Sequence, residues 1–531
     1  MFAVAFTLVP GAPAADLVTS LPGFESGWPF KVYSGYLHVP GPFKLNPYDS
    51  LSIHYQLHTS QRDPSTDPLV TWHQGGPGGS SIDVGLYTEM GYFRHGDQGS
   101  FVNPYAWNRV ANMLYLESPA GSGQKHGYSE CLQGEKPVPC HWDDVSQAEA
   151  YAHALAAFKR AFPELAPNDL YLTGESYFGQ YGPNIAQYIL TTKPFNTSLG
   201  LMGIAAGNAC WGGAEDKVDC NGPNAEQNDV DMFYGKGLVS KKLYQATYAA
   251  CGDPFEKSLK CEIMQEKVAE AVGPHNIYNI YDNCLVMASD LAARGKSMRW
   301  AKQQLRAQLG GPGLPPKPER EAPHGTGGGV PADETGGAGR LDEAGGNGLV
   351  DEPDGTGGAG PADEADVTGA AFLPAAADGG FTWACGGEAA SDAWIERPDV
   401  RAALHLREAG RSSFSYRTSG PASVTLWPFL STKLRILIYN GDADACVPYK
   451  GNEEWIGNLE AAGVLAQKEA WRPWYASHGA RAPAGYVTTY TPKAAKDFSF
   501  LTVRLAGHMV PTYQPEASLA FLTRFLDGRP F

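Results

Sequence analysis

The chain has 531 residues, 43% of them apolar, and a formal net charge of −16. That length fits one large domain carrying an insertion, or two domains, with ample side chains for a core. The charge excludes a nucleic-acid reader, which would favour a basic face, and it is localised: residues 310–380 hold thirteen Asp/Glu and three Lys/Arg, so −10 sits there and −6 elsewhere.

Taken in order, residues 1–15 open with a short apolar run, Met1 to Val9, followed by small residues. They read as a weak signal-peptide-like segment without the usual basic leader. Phe30 to Leu57 alternates apolar and polar residues, as antiparallel strands at a sheet edge do. Leu69 to Trp72 is a buried strand running into a glycine-rich loop, Gln74-Gly75-Gly76-Pro77-Gly78-Gly79-Ser80-Ser81. Glycines there let backbone amides approach a ligand. Met113 to Leu116 is another core strand. Val145, Ala148, Ala152, Leu155, Phe158 and Phe162 make one apolar helical face, stopped by Pro163. Leu170 to Thr173 is a strand that meets a sharp corner at Gly174 to Gly179, with Pro183, Ile185, Tyr188 and Ile189 following at helical spacing. Leu201 to Ala205 is a strand leading to Gly207-Asn208.

From 210 to 309 the pattern turns helical, at Asp229 to Leu238, Lys241 to Ala250, Ile263 to Ala271 and Ser297 to Leu309. Residues 310–380 are Gly, Pro, Ala, Asp and Glu with almost no aromatics, and cannot bury enough apolar surface to offset ordering entropy; disorder is expected there. Arg397 to His405 begins the return as a helix, with His405 structural. Leu434 to Tyr439 is a buried strand ending in Asn440-Gly441-Asp442-Ala443-Asp444, and Phe500 to Arg504 one ending in Ala506-Gly507-His508-Met509. The last helix runs from Glu516 to Leu526. No run outside the N-terminus is long and apolar enough to span a bilayer. Of nine cysteines, Cys131 and Cys140 flank one short loop and Cys210 and Cys220 another, while Cys251, Cys261 and Cys284 lie in the helical stretch. Close pairs suit an oxidising compartment, and the odd total leaves at least one cysteine without an internal partner. Asn196-Thr197-Ser198 is an acceptor sequon, relevant only on the secretory route.

Chemistry enters at three of these points. A serine at a strand-to-helix corner, Ser176 within Gly174-Glu175-Ser176-Tyr177, is the nucleophile-elbow pattern. Alone it competes with an ordinary loop serine. A serine, an aspartate and a histidine in that order, each just past a strand end, match the α/β-hydrolase triad, and open α/β sheets place their sites at those ends. Ser176 is the nucleophile, His508 its base, and Asp444 the carboxylate orienting the imidazole, with Asp442 as the competing acid. His73, His95 and His478 lack a strand-end context. No metal-ligand cluster of the usual spacing is present, so neither metal nor cofactor is expected.

These blocks resemble the serine carboxypeptidases, secreted or vacuolar/lysosomal enzymes, along nearly the whole chain outside one insert. The resemblance is carried by Leu21 to Phe24 with Tyr33 to Tyr36, Trp72 to Ser81, Asn103 to Asn108, Glu117 to Gly121, Gly174 to Tyr177, Arg397 to Val400, Gly441 to Asp444 and Gly507 to Pro511. It implies an α/β-hydrolase fold, a mixed, mostly parallel central sheet flanked by helices. The core divides into 16–209 and 381–531, with a helical cap insertion at 210–309 over the site mouth and the acidic linker 310–380 as either a processing region or an uncut spacer. It chooses Asp444 over Asp442, since the family aspartate is the second of Gly-Asp-x-Asp. It puts the oxyanion amides at Gly76 and Tyr177, and the substrate-carboxylate clamp at Gln74, Gly75 and Glu175, with Glu89 a further member.

The implied activity is removal of C-terminal residues from peptides through an acyl-enzyme. Two carboxyls in contact must share a proton, so acidic conditions are favoured. Two other readings stand beside it: an acyltransferase built on the same triad, and a protective, chaperone-like binding protein. A homodimer has no support in the sequence. The chain departs from the family at Gln74, usually Asn; at Phe178, usually Ala; and at Gly79, usually Cys. The cysteine absent at 79 normally bridges to the position of Cys385, which leaves Cys385 a candidate for the unpaired thiol, alongside Cys446 next to Asp444.

Overall fold

Strands that are buried at every residue need sheet partners on both edges and side chains on both faces. Five of the described runs meet that description: Ser50–His58, Leu69–His73, Asn112–Leu116, Leu170–Glu175 and Phe498–Val503. In the computed structural model, which describes residues 12–96, 99–123, 128–214, 217–282, 388–408, 412–492 and 496–531, they lie inside one thirteen-stranded sheet. In chain order its main strands are β1 (Leu17–Val18), β2 (Val32–Pro40), β3 (Ser50–His58), β4 (Leu69–His73), β5 (Asn112–Leu116), β6 (Leu170–Glu175), β7 (Leu201–Gly207), β8 (Arg435–Gly441), β9 (Leu465–Trp474), β10 (Gly485–Pro492) and β11 (Phe498–Val503). Across the sheet they run β1-β2-β3-β5-β4-β6-β7-β8-β11-β10-β9. Glu130–Gln133 and Lys136–Val138 extend it from β3.

The sheet is mixed, and the division has a physical basis. From β5 to β11 every neighbouring pair is parallel, and outside that block every pair is antiparallel. Parallel strands require crossovers that cover both faces; antiparallel ones close by hairpins and tolerate solvent. The side chains of β8 show the double cover: Ile436 and Ile438 join a core with Phe158, Tyr181 and Trp455, while Leu437 and Tyr439 join another with Trp72, Trp107 and Phe521. The first core is roofed by α1 (Asp144–Ala161), α2 (Phe178–Thr191) and, later in the chain, Tyr449–Ala461; the second by Pro515–Asp527. α1 begins with a capping box, Asp143 and Ser146, and ends before Pro163 as the sequence requires. Val145 faces outward, 37% exposed, not into the core with its helical partners.

Strands β9 and β10 have no counterpart among the strands expected from the sequence. β9 reads Leu-Ala-Gln-Lys-Glu-Ala-Trp-Arg-Pro-Trp, is buried only at its two ends, and exists because β10 offers it an edge to pair with. Propensity carries little information where tertiary pairing decides.

Within residues 210–282 three helices, α3 (Ala225–Gly235), α4 (Lys241–Cys251) and α5 (Leu259–Val272), pack around Val230, Val239 and Val268. Cys251–Cys261 ties α4 to α5, and Cys131–Cys140 and Cys210–Cys220 close the two short loops. Cys446 is the free cysteine among the described residues. Cys284, Cys385, the helix expected at Ser297 to Leu309, and residues 310–380 lie outside them. The described residues belong to one compact unit, drawn from Met1–Arg294 and Ala375–Phe531.

The ends of β8 and β11 meet backbone to backbone. A Cβ at Gly441 would lie 2.0 Å from Gly507 O. Gly441→Ala is therefore expected to cost about 1–3 kcal/mol through overpacking, read as a lower urea midpoint. An unchanged midpoint would mean that the two strand ends part freely.

Candidate active site

β6 ends at Glu175 and α2 begins at Phe178, leaving two residues to reverse the chain. Ser176 does so with φ of 61°, a left-handed conformation that costs a non-glycine residue roughly 1–2 kcal/mol. The surroundings hold it there. Ser176 N donates to Gly207 O at 2.9 Å, and Ser176 O accepts from Cys210 N at 3.0 Å and Gly179 N at 2.9 Å. The Cys210–Cys220 bridge anchors one of those donors. The Gly-rich loop presses on the same turn: a Cβ at Gly75 would stand 2.5 Å from Tyr177 N and 2.6 Å from Ser176 Cβ. Only a residue without a side chain permits that approach.

On the neighbouring strands, His508 Nδ1 and Asp444 Oδ2 are 2.7 Å apart and both side chains are buried. Asp444 also accepts from Asn208 Nδ2 at 2.7 Å, Cys446 N at 2.8 Å and Val447 N at 3.2 Å. Burial opposes charging the imidazole, but the Asp444 carboxylate outweighs it, and the His508 pKa is raised. His508 N donates to Tyr278 O at 2.7 Å and Ala445 N to Ile277 O at 2.8 Å, so both loops are tied to residues beyond α5. Ser176 connects to this pair through Gly207 and Asn208, adjacent residues that bind the serine amide and the aspartate. The Ser176 hydroxyl makes no side-chain hydrogen bond to His508 in this conformation, and the residue is partly exposed.

Asp442 is taken up elsewhere: its Oδ1 accepts from Leu505 N at 2.8 Å and its Oδ2 pairs with Lys236 Nζ at 2.9 Å. His73 and His95 are buried among aromatic rings, with burial pushing their pKa values down to about 4 and about 3, so both are neutral packing groups. His405 Nδ1 binds Ser34 O at 2.7 Å. Cys446 has its thiol pKa pushed well up by burial and by the Asp444 and Asp229 charges, which keeps it protonated and unreactive. The Phe178 ring lies over Gly174 and Gly182, which give the bulkier side chain its room.

The residue before the serine belongs to a second buried group. Gln74 Oε1 accepts from Trp72 Nε1 at 2.8 Å, which turns Gln74 Nε2 onto Glu175 Oε1 at 2.7 Å. Glu89, carried by the π-helical segment Ser81–Met90, is fully buried beside it. Glu175 Oε2 and both Glu89 oxygens have no hydrogen-bond partner among the described residues. Two ionised carboxylates offer no donor, so a bond between them requires a proton. Burial raises both groups. The Glu175 pKa is pushed up to about 7, restrained by the His508 charge and Gln74; Glu89, facing the Glu175 charge, stands well above the usual range, restrained by Arg94. Arg94, whose guanidinium also binds Glu89 O, and Asn208 were missed in the sequence. Asn208 had a signal, its place at a strand end; Arg94 had none. Among the described residues no group of His, Cys, Asp or Glu could hold a metal ion, and no helix is long and apolar enough to cross a membrane.

A mixed, largely parallel sheet flanked by helices, with a serine at a strained strand–helix turn, gives this molecule the α/β-hydrolase fold. A family model for serine carboxypeptidases matches residues 22–528, and the chain belongs to that family of peptide hydrolases. It is 30% identical to Serine carboxypeptidase-like 20 of Arabidopsis thaliana over 99% of this chain and 96% of that protein. It is 30% identical to the Lysosomal protective protein of Mus musculus, over 98% and 95%. Among solved structures it resembles Kex1(delta)p, a prohormone-processing carboxypeptidase from Saccharomyces cerevisiae, with a TM-score of 0.57 at 17% identity, covering 98% of this chain and 97% of that one.

The raised acids couple stability to pH. Between the ordinary value of 4.5 and about 7, folded Glu175 keeps a proton that the unfolded chain has lost. Stability therefore falls as pH rises through that window, by about 1.4 kcal/mol per unit for each proton retained. Glu89→Gln, neutral at every pH, should gain in Tm relative to the wild type between pH 5 and pH 7.5. An equal Tm difference at both pH values would show that Glu89 is already ionised at pH 5.

Proposed function

We propose that this chain is a serine carboxypeptidase in activity as well as in family, and that the groups just described are its machinery. Ser176 attacks the last peptide carbonyl while His508 takes its proton; the same proton passes to the departing amino acid, and an acyl-enzyme remains. Water, deprotonated by His508, then releases the shortened peptide. Asp444 orients the imidazole and supports its positive charge. The amides of Gly76 and Tyr177 face the oxyanion. The buried Asp444 already takes hydrogen bonds from Asn208, Cys446 and Val447, which hold it in place against the imidazole.

One observation carries the specificity for a chain end: Glu175, immediately before Ser176, shares a buried site with Gln74 and Glu89 and has an oxygen to spare. A protonated carboxyl and an amide are donors, and a substrate carboxylate supplies the missing acceptor. Gly75 contributes its backbone. Gln74 holds this position despite its extra methylene because Trp72 fixes its orientation. Residues 210–282 are then part of a cap over the mouth, with Lys236, just past the end of α3, reaching Asp442 in the aspartate loop. The substrates are peptides with free C-termini, and three disulfides fit a secretory-route location.

Ser176→Ala should reduce release of C-terminal amino acids by roughly 10⁴-fold or more with the fold intact, and a fluorophosphonate should label the wild type at residue 176 alone. Labelling at another serine, or full activity in the variant, would overturn the assignment. The clamp binds substrate only while it holds a proton. So kcat/KM should fall as pH rises through about 7; a profile climbing steadily from pH 5 to pH 8 would reject the shared-proton clamp.

A further inference from the structure

The structure contains a buried carboxylate that neither the triad nor the clamp uses. Asp144, in the first turn of α1, is fully buried, and each of its oxygens takes two hydrogen bonds. Oδ1 accepts from Tyr177 Oη at 2.9 Å and from Tyr416 Oη at 2.7 Å. Oδ2 accepts from Ser419 N at 2.7 Å and Gly420 N at 2.8 Å.

Its partners are chosen tellingly. Tyr177 follows Ser176, and its amide is one of the two oxyanion donors in the function proposed above. Tyr416, Ser419 and Gly420 belong to the later half of the chain, which also brings Asp444 and His508. That later segment grips the nucleophile helix at further points: Gln180 Nε2 donates to Pro421 O at 2.6 Å and Gln180 Oε1 accepts from Ser423 N at 2.9 Å. Phe414, on a strand paired with Cys140–Asp143, presses on the Gly-rich loop, where a Cβ at Gly78 would stand 2.5 Å from its ring.

We propose that Asp144 is a positioning residue for the oxyanion hole. By holding the Tyr177 phenol and the 416–420 segment on one carboxylate, it fixes the Tyr177 amide against the half of the chain that carries the base. It touches no substrate; its effect is on the direction of one N–H. The inference rests on the proposed oxyanion role of Tyr177.

Asp144→Asn is the informative change. An amide keeps the size but replaces one oxygen by a donor, which then faces two donors already in place. A slightly misdirected oxyanion donor lowers kcat and spares substrate binding, so kcat should fall about tenfold with KM within about twofold. A peptide aldehyde, whose hemiacetal oxygen occupies the oxyanion position, should bind about tenfold more weakly. A released free amino acid, which engages only the carboxylate clamp, should inhibit the variant and the wild type equally. Tyr177→Phe removes a single bond to Asp144 and should shift kcat and aldehyde affinity the same way, by about threefold; it carries the test if Asp144→Asn does not fold. Folded variants with wild-type kcat and aldehyde affinity would overturn the inference. So would parallel losses of aldehyde and amino-acid affinity, which mark a generally disordered site. A wild type that forms no adduct between the aldehyde and Ser176 would instead remove the underlying reading, and this inference with it.

Discussion

The arrangement depends on one strained residue. Ser176 sits in a left-handed conformation that it would not choose alone, and the fold around it removes every alternative. Its amide is claimed by the end of β7, its carbonyl by Cys210 and Gly179, and its free side by the Gly-rich loop after β4. Three separate stretches must arrive together for that to work. The parallel block β4-β6-β7 delivers them, because neighbouring parallel strands end on the same side and their following loops meet there. The strain is modest beside the burial that sustains it, and its effect is to lift a hydroxyl off the sheet at the start of a helix.

Around that turn, acids are handled in three different ways. Asp444 is surrounded by donors and faces an imidazole. Asp144 is likewise saturated, by two phenols and two amides. Glu175 and Glu89 have too few donors for two charges, and retain a proton. Burial is common to all four; what differs is the number of hydrogen-bond donors each one finds.

Much of this was legible in the chain. The strand runs, the corner at Gly174–Gly179 and the strand-end positions of Asp444 and His508 follow from local composition, because a fully buried strand has few other ways to look. The close cysteine pairs at 131/140 and 210/220 likewise proved to be bonded. Edge strand β9 was not legible: between its buried ends it is largely exposed and shows no regular alternation, and only the neighbouring strand makes it one. Val145 fits a helical stripe by spacing yet lies outside the contact, since the stripe is wider than the surface that covers it.

The sequence alone determined which chemical groups are available and on which kind of turn each sits: a serine at a strand–helix corner, an aspartate and a histidine past strand ends, and glycines where backbone must come close. Only the tertiary structure decided their partners. It turned Asp442 to Lys236 and Asp444 to His508, seated Glu89 beside Glu175, and converged two phenols on Asp144. The reason is physical. Hydrogen-bond and charge partners lie tens to hundreds of residues apart, and a residue's spacing along the chain carries no record of what packs against it from elsewhere.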